Sequence, residues 1–367
     1  MIAAQAAICE RPNTPLVVEE VQVAPPQAGE VLVEIVASGL CHTDLTALEG
    51  VNASAVYPLI PGHEGAGRVV EVGSGVETLR PGDHVIPLYG PECGHCSMCR
   101  SERTNLCWTI KATRDKGVMP NGSARFARAG AVVHHFMGTS TLSRYSVVPE
   151  IALAKIRRDA RLDEVCLFGC GVTTGVGAAL EHCRPGDRVA VFGLGGIGIN
   201  ILQGARIAGA AQIVGIDVTE TKTDLARRYG MTDFVKVGDG DPVTAIRDLT
   251  GGGVDVAFES AGLLPVMRQA LDCCLPGWGR AVLLGVEPPG GEVAFPPVAV
   301  RYGKSIHGSY FGGIKGRSGL GALIDLYMEG KIDLGQQITR RLTLDQVNEG
   351  FDLMREGLAV RSVVGFE

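Results

Sequence analysis

Residues 188–210 read RVAVFGLGGIGINILQGARIAGA: a short apolar run of strand character, a glycine-rich turn, then a helical run. The turn is a G-x-G-x-x-G pattern at Gly193, Gly195 and Gly198, with Gly196 and Ile197 inside it. Such glycines permit a tight turn and bring a pyrophosphate close to the N-terminus of the next helix, where free N–H groups and the dipole favour an anion. The pattern alone is weak evidence. Its surroundings strengthen it: a strand before, a helix after, and a second apolar strand, QIVGID, that closes on Asp217, nineteen residues past Gly198. An acid there accepts hydrogen bonds from an adenosine ribose diol and repels a 2′-phosphate, which predicts NAD rather than NADP. Arg227 and Arg228, farther on, read as a solvated helix face.

Outward from this turn, strand-like and helix-like segments alternate over about residues 172–311, with FVKV, VDVAFES and RAVLLGV as further strands. Alternation of that kind predicts a doubly wound parallel sheet. Residues 1–171 have another texture, short apolar runs punctuated by Gly and Pro such as GEVLVEIVASG and GAGRVVEVGSGVETLRPGDHVIP, and predict a compact β-rich domain. The tail, 312–367, reads as helix then strand. A chain of 367 residues exceeds one ordinary core, so two domains are expected within an α/β protein.

Charge narrows the function classes. Lys and Arg number 34 against 40 Asp and Glu, for a net charge of -6, and the basic residues are dispersed. A nucleic-acid partner is therefore not expected. The opening MIAAQAAICE has no basic leader, and no apolar run approaches the roughly 18 residues a spanning helix needs. The expectation is a cytoplasmic protein without a membrane partner, in which eleven cysteines point to metal or catalytic use rather than to disulfides.

Four of those cysteines fall in CGHCSMCRSERTNLC, residues 93–107: Cys93, Cys96, Cys99 and Cys107. Thiolates at this spacing curl around one ion and complete a closed tetrahedral shell, a structural zinc site. An iron–sulfur cluster shares the ligand set. Three further segments carry metal-binding side chains: GLCHTD with Cys41, PGHEGAG with His63 and Glu64, and GCGVTTG with Cys170. Two thiolates and one imidazole would leave a fourth position open for water or substrate. On the residues alone Cys166 is an equal candidate with Cys170.

These segments, in this order, resemble the zinc-dependent alcohol dehydrogenases of the medium-chain dehydrogenase/reductase superfamily. The long-chain subgroup in question includes the class III, glutathione-dependent formaldehyde dehydrogenases. The likeness runs over nearly the whole chain, through GHEGAGRVVEVGSGV, the four-cysteine loop, GSARF, HHFMGTSTLSRYSVV, GCGVTTGVGAA, GLGGIG, GIDVTETK and the FGG after Tyr310. It implies a GroES-like catalytic domain (1–171 plus 312–367), a Rossmann NAD-binding domain (172–311) and an active site in the cleft. Two zinc ions per chain and NAD are the implied cofactors.

By that resemblance Cys41, His63 and Cys170 hold the catalytic zinc, Asp44 orients His63, and Glu64 stands behind the metal. Thr43 is the hydroxyl that takes the alcohol's proton. The chemistry implied is Lewis-acid activation of an alcohol by the metal, with hydride passing to the nicotinamide C4. His42 and Arg361 are expected at the pyrophosphate, Lys222 with Asp217 at the adenosine ribose, Thr174 and Ile197 against the nicotinamide, and backbone near Leu284, Ser309 and Phe311 at its carboxamide. Thr46 stands where many members carry a relaying histidine, so the proton path is expected to end in water.

Pocket positions carried over are Tyr89, Phe136, Met137, Val286 and Tyr310, with Ser54 and Ala112 toward the mouth. Aromatic walls and a flexible Met predict a medium-chain or aromatic primary alcohol, oxidised reversibly to the aldehyde. The alternative is oxidation of formaldehyde as a glutathione or other thiol adduct. Against it, Asn52 and Ser54 occupy places where glutathione-dependent members carry acids, and Lys111 and Pro276 stand for an arginine and a lysine. Each lost charge-assisted contact costs roughly 1.5–3 kcal/mol. A reading from another class, a zinc and NAD sensor without catalysis, is opposed by an open metal set beside a complete nucleotide turn; a related non-zinc, quinone-reductase-like branch is opposed by the same metal set. The family pattern also implies a homodimer through Rossmann edge strands, with RAVLLGVE (280–287) the candidate edge.

Overall fold

The computed structural model describes residues 1–101 and 104–366, so Glu102 and Arg103 of the four-cysteine loop fall outside the described residues. The chain divides into two compact units, Met1–Cys170 with Lys315–Glu367, and Gly171–Ile314.

The second unit is built on a six-stranded sheet in which every pairing is parallel. Its spatial order is Asp233–Lys236, Gln212–Asp217, Arg188–Phe192, Val256–Glu259, Arg280–Leu283, Ser305–Gly308. Chain order reverses at Arg188–Phe192, and the glycine turn follows that strand directly. In open α/β sheets this reversal is where ligands bind. The middle strands are continuous apolar runs because both faces are covered: Val189, Ala190, Val191, Val256, Ala257 and Phe258 are all fully buried. Helices Gly171–His182 and Gly196–Ile207 then pack at very short range. A Cβ on Gly175 would lie 2.8 Å from that of Asn200, and one on Gly204 2.6 Å from that of Ala179, so glycine is what permits the contact.

The candidate dimer edge needs correction. RAVLLGVE supplies the strand Arg280–Leu283, which is paired on both sides, and the sheet's edges are Asp233–Lys236 and Ser305–Gly308. Apolarity misled because a buried inner strand is more apolar than an edge.

In the first unit, a five-stranded and a seven-stranded sheet surround apolar clusters. The central antiparallel pair joins Glu30–Gly39 to Glu64–Val72, with Gly39 opposite Glu64. That register sets Cys41 and His63, just beyond the paired ends, at the same edge of the sheet. Beneath the pair, Arg125 donates to both carboxylate oxygens of Glu30 (2.7 and 2.6 Å), with the two side chains 2% and 4% exposed. The Arg125 backbone N–H donates to His135 Nε2 at 3.3 Å, which requires a neutral ring. Burial, reinforced by Arg125, pushes His135 down to about 3 and keeps it neutral.

Removing one partner of so buried a pair strands the other charge, at a cost of about 3–5 kcal/mol. Arg125→Met is accordingly expected to lower the unfolding free energy in urea by that amount, and a change below about 1 kcal/mol would show that Glu30 does not depend on the guanidinium.

Candidate functional site

One short helix begins the site. Cys41 is the N-cap of His42–Leu48, and its backbone N–H donates to Asp44 Oδ2 at 3.3 Å, as in a capping box. Asp44 is fully buried, and its Oδ1 accepts from the Gly62 backbone N–H and from His63 Nδ1, both at 2.9 Å. One carboxylate thus holds the Cys41 backbone, the turn before His63 and the imidazole itself. The other ring nitrogen, His63 Nε2, is buried and has no hydrogen-bond partner among the described residues.

That orphaned nitrogen faces a cluster. The ligand atoms of Cys41, His63, Glu64 and Cys170 all lie within 4.8 Å of one another. Cys170 reaches it from a break between the 3-10 turn Cys166–Gly169 and the helix Gly171–His182. A side chain on Gly169 would collide with the backbone there, its Cβ 3.0 Å from the His63 carbonyl oxygen. A hydrogen bond from Cys170 holds the Cys41 thiol well below the usual range, with His63 and Arg361 adding to the effect, and the same bond with burial pushes Cys170 up. Burial also pushes Cys166 up, so position rather than titration separates it from Cys170. Cys166 stands outside the cluster, and Cys170 is inside it.

Glu64 is fully buried and ion-paired with Arg361, whose Nη2 also donates to the Leu40 carbonyl at 3.2 Å. Burial pushes Glu64 up to about 8 against the pull of Arg361. Gly39 leaves space for this pair, since its Cβ would sit 2.6 Å from Glu64 Oε2. Arg361, expected at a pyrophosphate, is 4% exposed, and its buried Nε has no partner among the described residues. Tyr89 and Phe136 stand edge-on to the His63 ring at centroid distances of 5.7 and 6.5 Å. Met137 follows at a positive φ of 53°. Thr43 is half-buried, and Thr46 Oγ1 donates to the Thr43 carbonyl at 2.8 Å. A cavity of about 1130 Å³ elsewhere in this unit is lined by Arg158, Arg161 and Arg341. Asp83, Asp163 and Glu164 already pair those cations, so the metal-side cluster is the better candidate.

The four loop cysteines form a second group, again with ligand atoms within 4.8 Å. Backbone N–H groups of Cys96 and Cys99 point at the sulfurs of Cys93 and Cys96, each at 3.4 Å. Four thiolates suit a closed zinc site, and two thiolates with an imidazole whose Nε2 has no partner among the described residues suit an open one. Both donor sets therefore fit zinc.

Within the other unit, Gly193 has φ +88°, and a Cβ on Gly198 would overlap the Gly193 carbonyl oxygen. Gly195 caps the helix Gly196–Ile207 with no side chain, leaving its first N–H groups free for an anion. Asp217 Oδ2 accepts from Leu194 N at 2.7 Å and Oδ1 from Thr219 N at 3.1 Å, so the acid also braces the turn. The hydroxyls of Thr174 and Ser309 are buried without partners among the described residues, and Phe311 is buried at a φ of 51°. Ile197 and Lys222 are half-buried, Leu284 is buried and His42 is exposed. Val286 and Tyr310 are 74% and 41% exposed. The sequence reading passed over Glu259, fully buried at the end of its strand, whose Oε1 accepts from Ala261 N (2.9 Å) and Gly262 N (2.8 Å). An acid closing the apolar run VDVAF was the available signal.

Because Asp44 fixes the imidazole from behind, Asp44→Asn is expected to weaken zinc at the open site about 10–100-fold in a chelator competition, with the four-cysteine site unaffected. Equal zinc affinity in the variant would remove Asp44 from this role.

Two family profiles match the chain: "Alcohol dehydrogenase GroES-like domain" over residues 27–158 and "Zinc-binding dehydrogenase" over residues 196–327. The chain is 47% identical to an alcohol dehydrogenase class-3 of Cereibacter sphaeroides and 47% identical to an S-(hydroxymethyl)glutathione dehydrogenase of Escherichia coli, with 99% of each chain covered in both cases. Its structure superposes on that of the benzyl alcohol dehydrogenase of Acinetobacter calcoaceticus with a TM-score of 0.93 at 28% identity, covering 100% of both chains. Its metal donor sets, its nucleotide-binding sheet and these full-length relatives agree, and the chain belongs to the NAD-dependent zinc alcohol dehydrogenases of the medium-chain dehydrogenase/reductase superfamily.

Proposed function

We propose that the chain oxidises S-(hydroxymethyl)glutathione with NAD, and that the observation carrying this reading is the 47% identity over 99% of the chain to relatives of that name. It displaces the expectation of a medium-chain or aromatic alcohol as the main substrate. On this reading the hydroxymethyl group loses a hydride from its carbon and a proton from its hydroxyl, giving the S-formyl thioester, with NAD as the hydride acceptor. Cys41, His63 and Cys170 would hold a zinc ion, which would supply Lewis-acid activation of the substrate oxygen. Thr43 takes the hydroxyl proton. With the Thr46 hydroxyl committed to the Thr43 carbonyl and no imidazole at that position, the proton leaves through water. Asp217 and Lys222 hold the adenosine ribose, the glycine turn with His42 and Arg361 the pyrophosphate, and Thr174, Ile197, Leu284, Ser309 and Phe311 the nicotinamide.

The substituted residues bear on affinity rather than on the bond changes. Asn52 Oδ1 accepts from Ser54 N at 3.0 Å, and Lys111 is an exposed partner of Asp115, so neither a paired acid nor a fixed guanidinium awaits glutathione there. Contacts made equally in ground and transition states, when lost, raise KM and leave kcat in place. The aromatic-alcohol reading retains one specific support, the Tyr89 and Phe136 rings beside His63.

We further infer a cytoplasmic homodimer joined along Ser305–Gly308, where Ile306 is 38% exposed, with Tyr302 and Val298 of the preceding segment 63% and 41% exposed. Among the described residues no single helix is long and apolar enough to cross a membrane. The eleven cysteines, all free thiols, are in keeping with a reducing compartment.

The test is NADH production from formaldehyde with glutathione, from formaldehyde alone and from benzyl alcohol, repeated with NADP. The expected result is a glutathione-dependent rate with NAD that saturates only at high adduct concentration. A rate with benzyl alcohol and none added by the thiol would transfer the assignment to an aromatic-alcohol dehydrogenase.

A further inference from the structure

The helix Gly316–Met328 begins against the four-cysteine loop, although more than two hundred residues separate them. Lys315, its N-cap, directs Nζ at two loop carbonyls, those of Cys99 at 3.1 Å and Ser101 at 2.6 Å. Lys315 makes no cap of its own for the helix, and Glu92 supplies one from the residue before Cys93. Ser318 N donates to Glu92 Oε2 at 2.9 Å and Ser318 Oγ to Oε1 at 2.8 Å. Arg317 completes the contact, Nη1 donating to the Glu92 carbonyl at 3.4 Å and Nη2 to Thr78 Oγ1 at 2.9 Å. One helix start thus grips the loop at two points: just ahead of its first cysteine, and at the turn that carries its third.

We propose that Lys315 is a positioning residue of the four-cysteine metal site, holding the Cys99–Ser101 turn from outside while Glu92 and Ser318 fasten the loop's entry. The physical grounds are two. The carbonyl oxygens of Cys99 and Ser101 are fixed by a charged donor, so the backbone that carries the Cys99 Sγ is held in place before a metal arrives, and groups that orient ligands in this way contribute strongly to metal retention. In addition, four thiolates around a divalent ion carry a net charge of minus two, which an ammonium beside the loop offsets. The inference concerns the closed site alone and does not depend on the identity of the substrate.

Site-resolved thiol labelling tests it on the full, zinc-loaded chain. The protein, Lys315→Met and Lys315→Arg are incubated with a zinc chelator and N-ethylmaleimide, and peptide mass spectrometry follows each cysteine separately. Lys315→Met is expected to speed labelling of Cys93, Cys96, Cys99 and Cys107 about 10–100-fold while Cys41 and Cys170 keep their rates, and Lys315→Arg, which retains the charge, to stay near the parent. If Lys315→Met does not fold, Lys315→Gln gives the same comparison. Unchanged loop labelling, or an equal rise at all six cysteines, would overturn the proposal, the second outcome marking general loosening instead.

Discussion

The metal-side architecture depends on the carboxylate of Asp44. It is buried, and it accepts hydrogen bonds from the Cys41 backbone, the Gly62 backbone and the His63 ring. Without it, the N-cap that presents one thiol and the turn that presents the imidazole have no common support. The same hydrogen bond fixes the ring's orientation: Nδ1 is turned to the carboxylate, and Nε2, without a partner among the described residues, is turned to the sulfurs. Cost and benefit are linked here, because a buried carboxylate is tolerated only where enough donors converge on it.

Around that carboxylate, room is made by glycine. Gly39 admits the Glu64–Arg361 pair and Gly169 lets the Cys170 segment lie on His63. Gly198 closes the nucleotide turn onto Gly193. Each of these positions is explained by what a Cβ would strike, and in each case the excluded atom belongs to the machinery of a site. Substitution at any of them would disturb geometry before it disturbed the core.

Much of this was legible in the sequence because it is local. The strand, the turn Gly193–Gly198 and Asp217 lie within thirty residues, and the four loop cysteines within fifteen. What could not be read is what tertiary structure joins. Nothing in the spacing separates Cys170 from Cys166; the backbone break after Gly169 turns one into the cluster, and the other is buried with its Sγ on the Glu164 carbonyl. The pairing of Arg361 Nη2 with the buried Glu64, 297 residues away, is likewise invisible in the sequence. Hydrophobicity marks burial, so the apolar run RAVLLGVE marks an inner strand, paired on both sides, rather than an edge. The grip of Lys315 on the metal loop, and the brace of Glu259, involve polar groups whose partners are backbone atoms, which leave no signature in residue identity.

The central claim is that Cys41, His63 and Cys170, organised by Asp44, are an open zinc site distinct from the closed one at the four-cysteine loop. Anomalous diffraction from crystals of the purified chain at the zinc absorption edge tests it most directly. Two peaks per chain are predicted, one enclosed by Cys93, Cys96, Cys99 and Cys107 and the other bonded to Cys41 Sγ, His63 Nε2 and Cys170 Sγ. A single peak in the loop, or a second peak that does not contact His63 Nε2, would contradict the account.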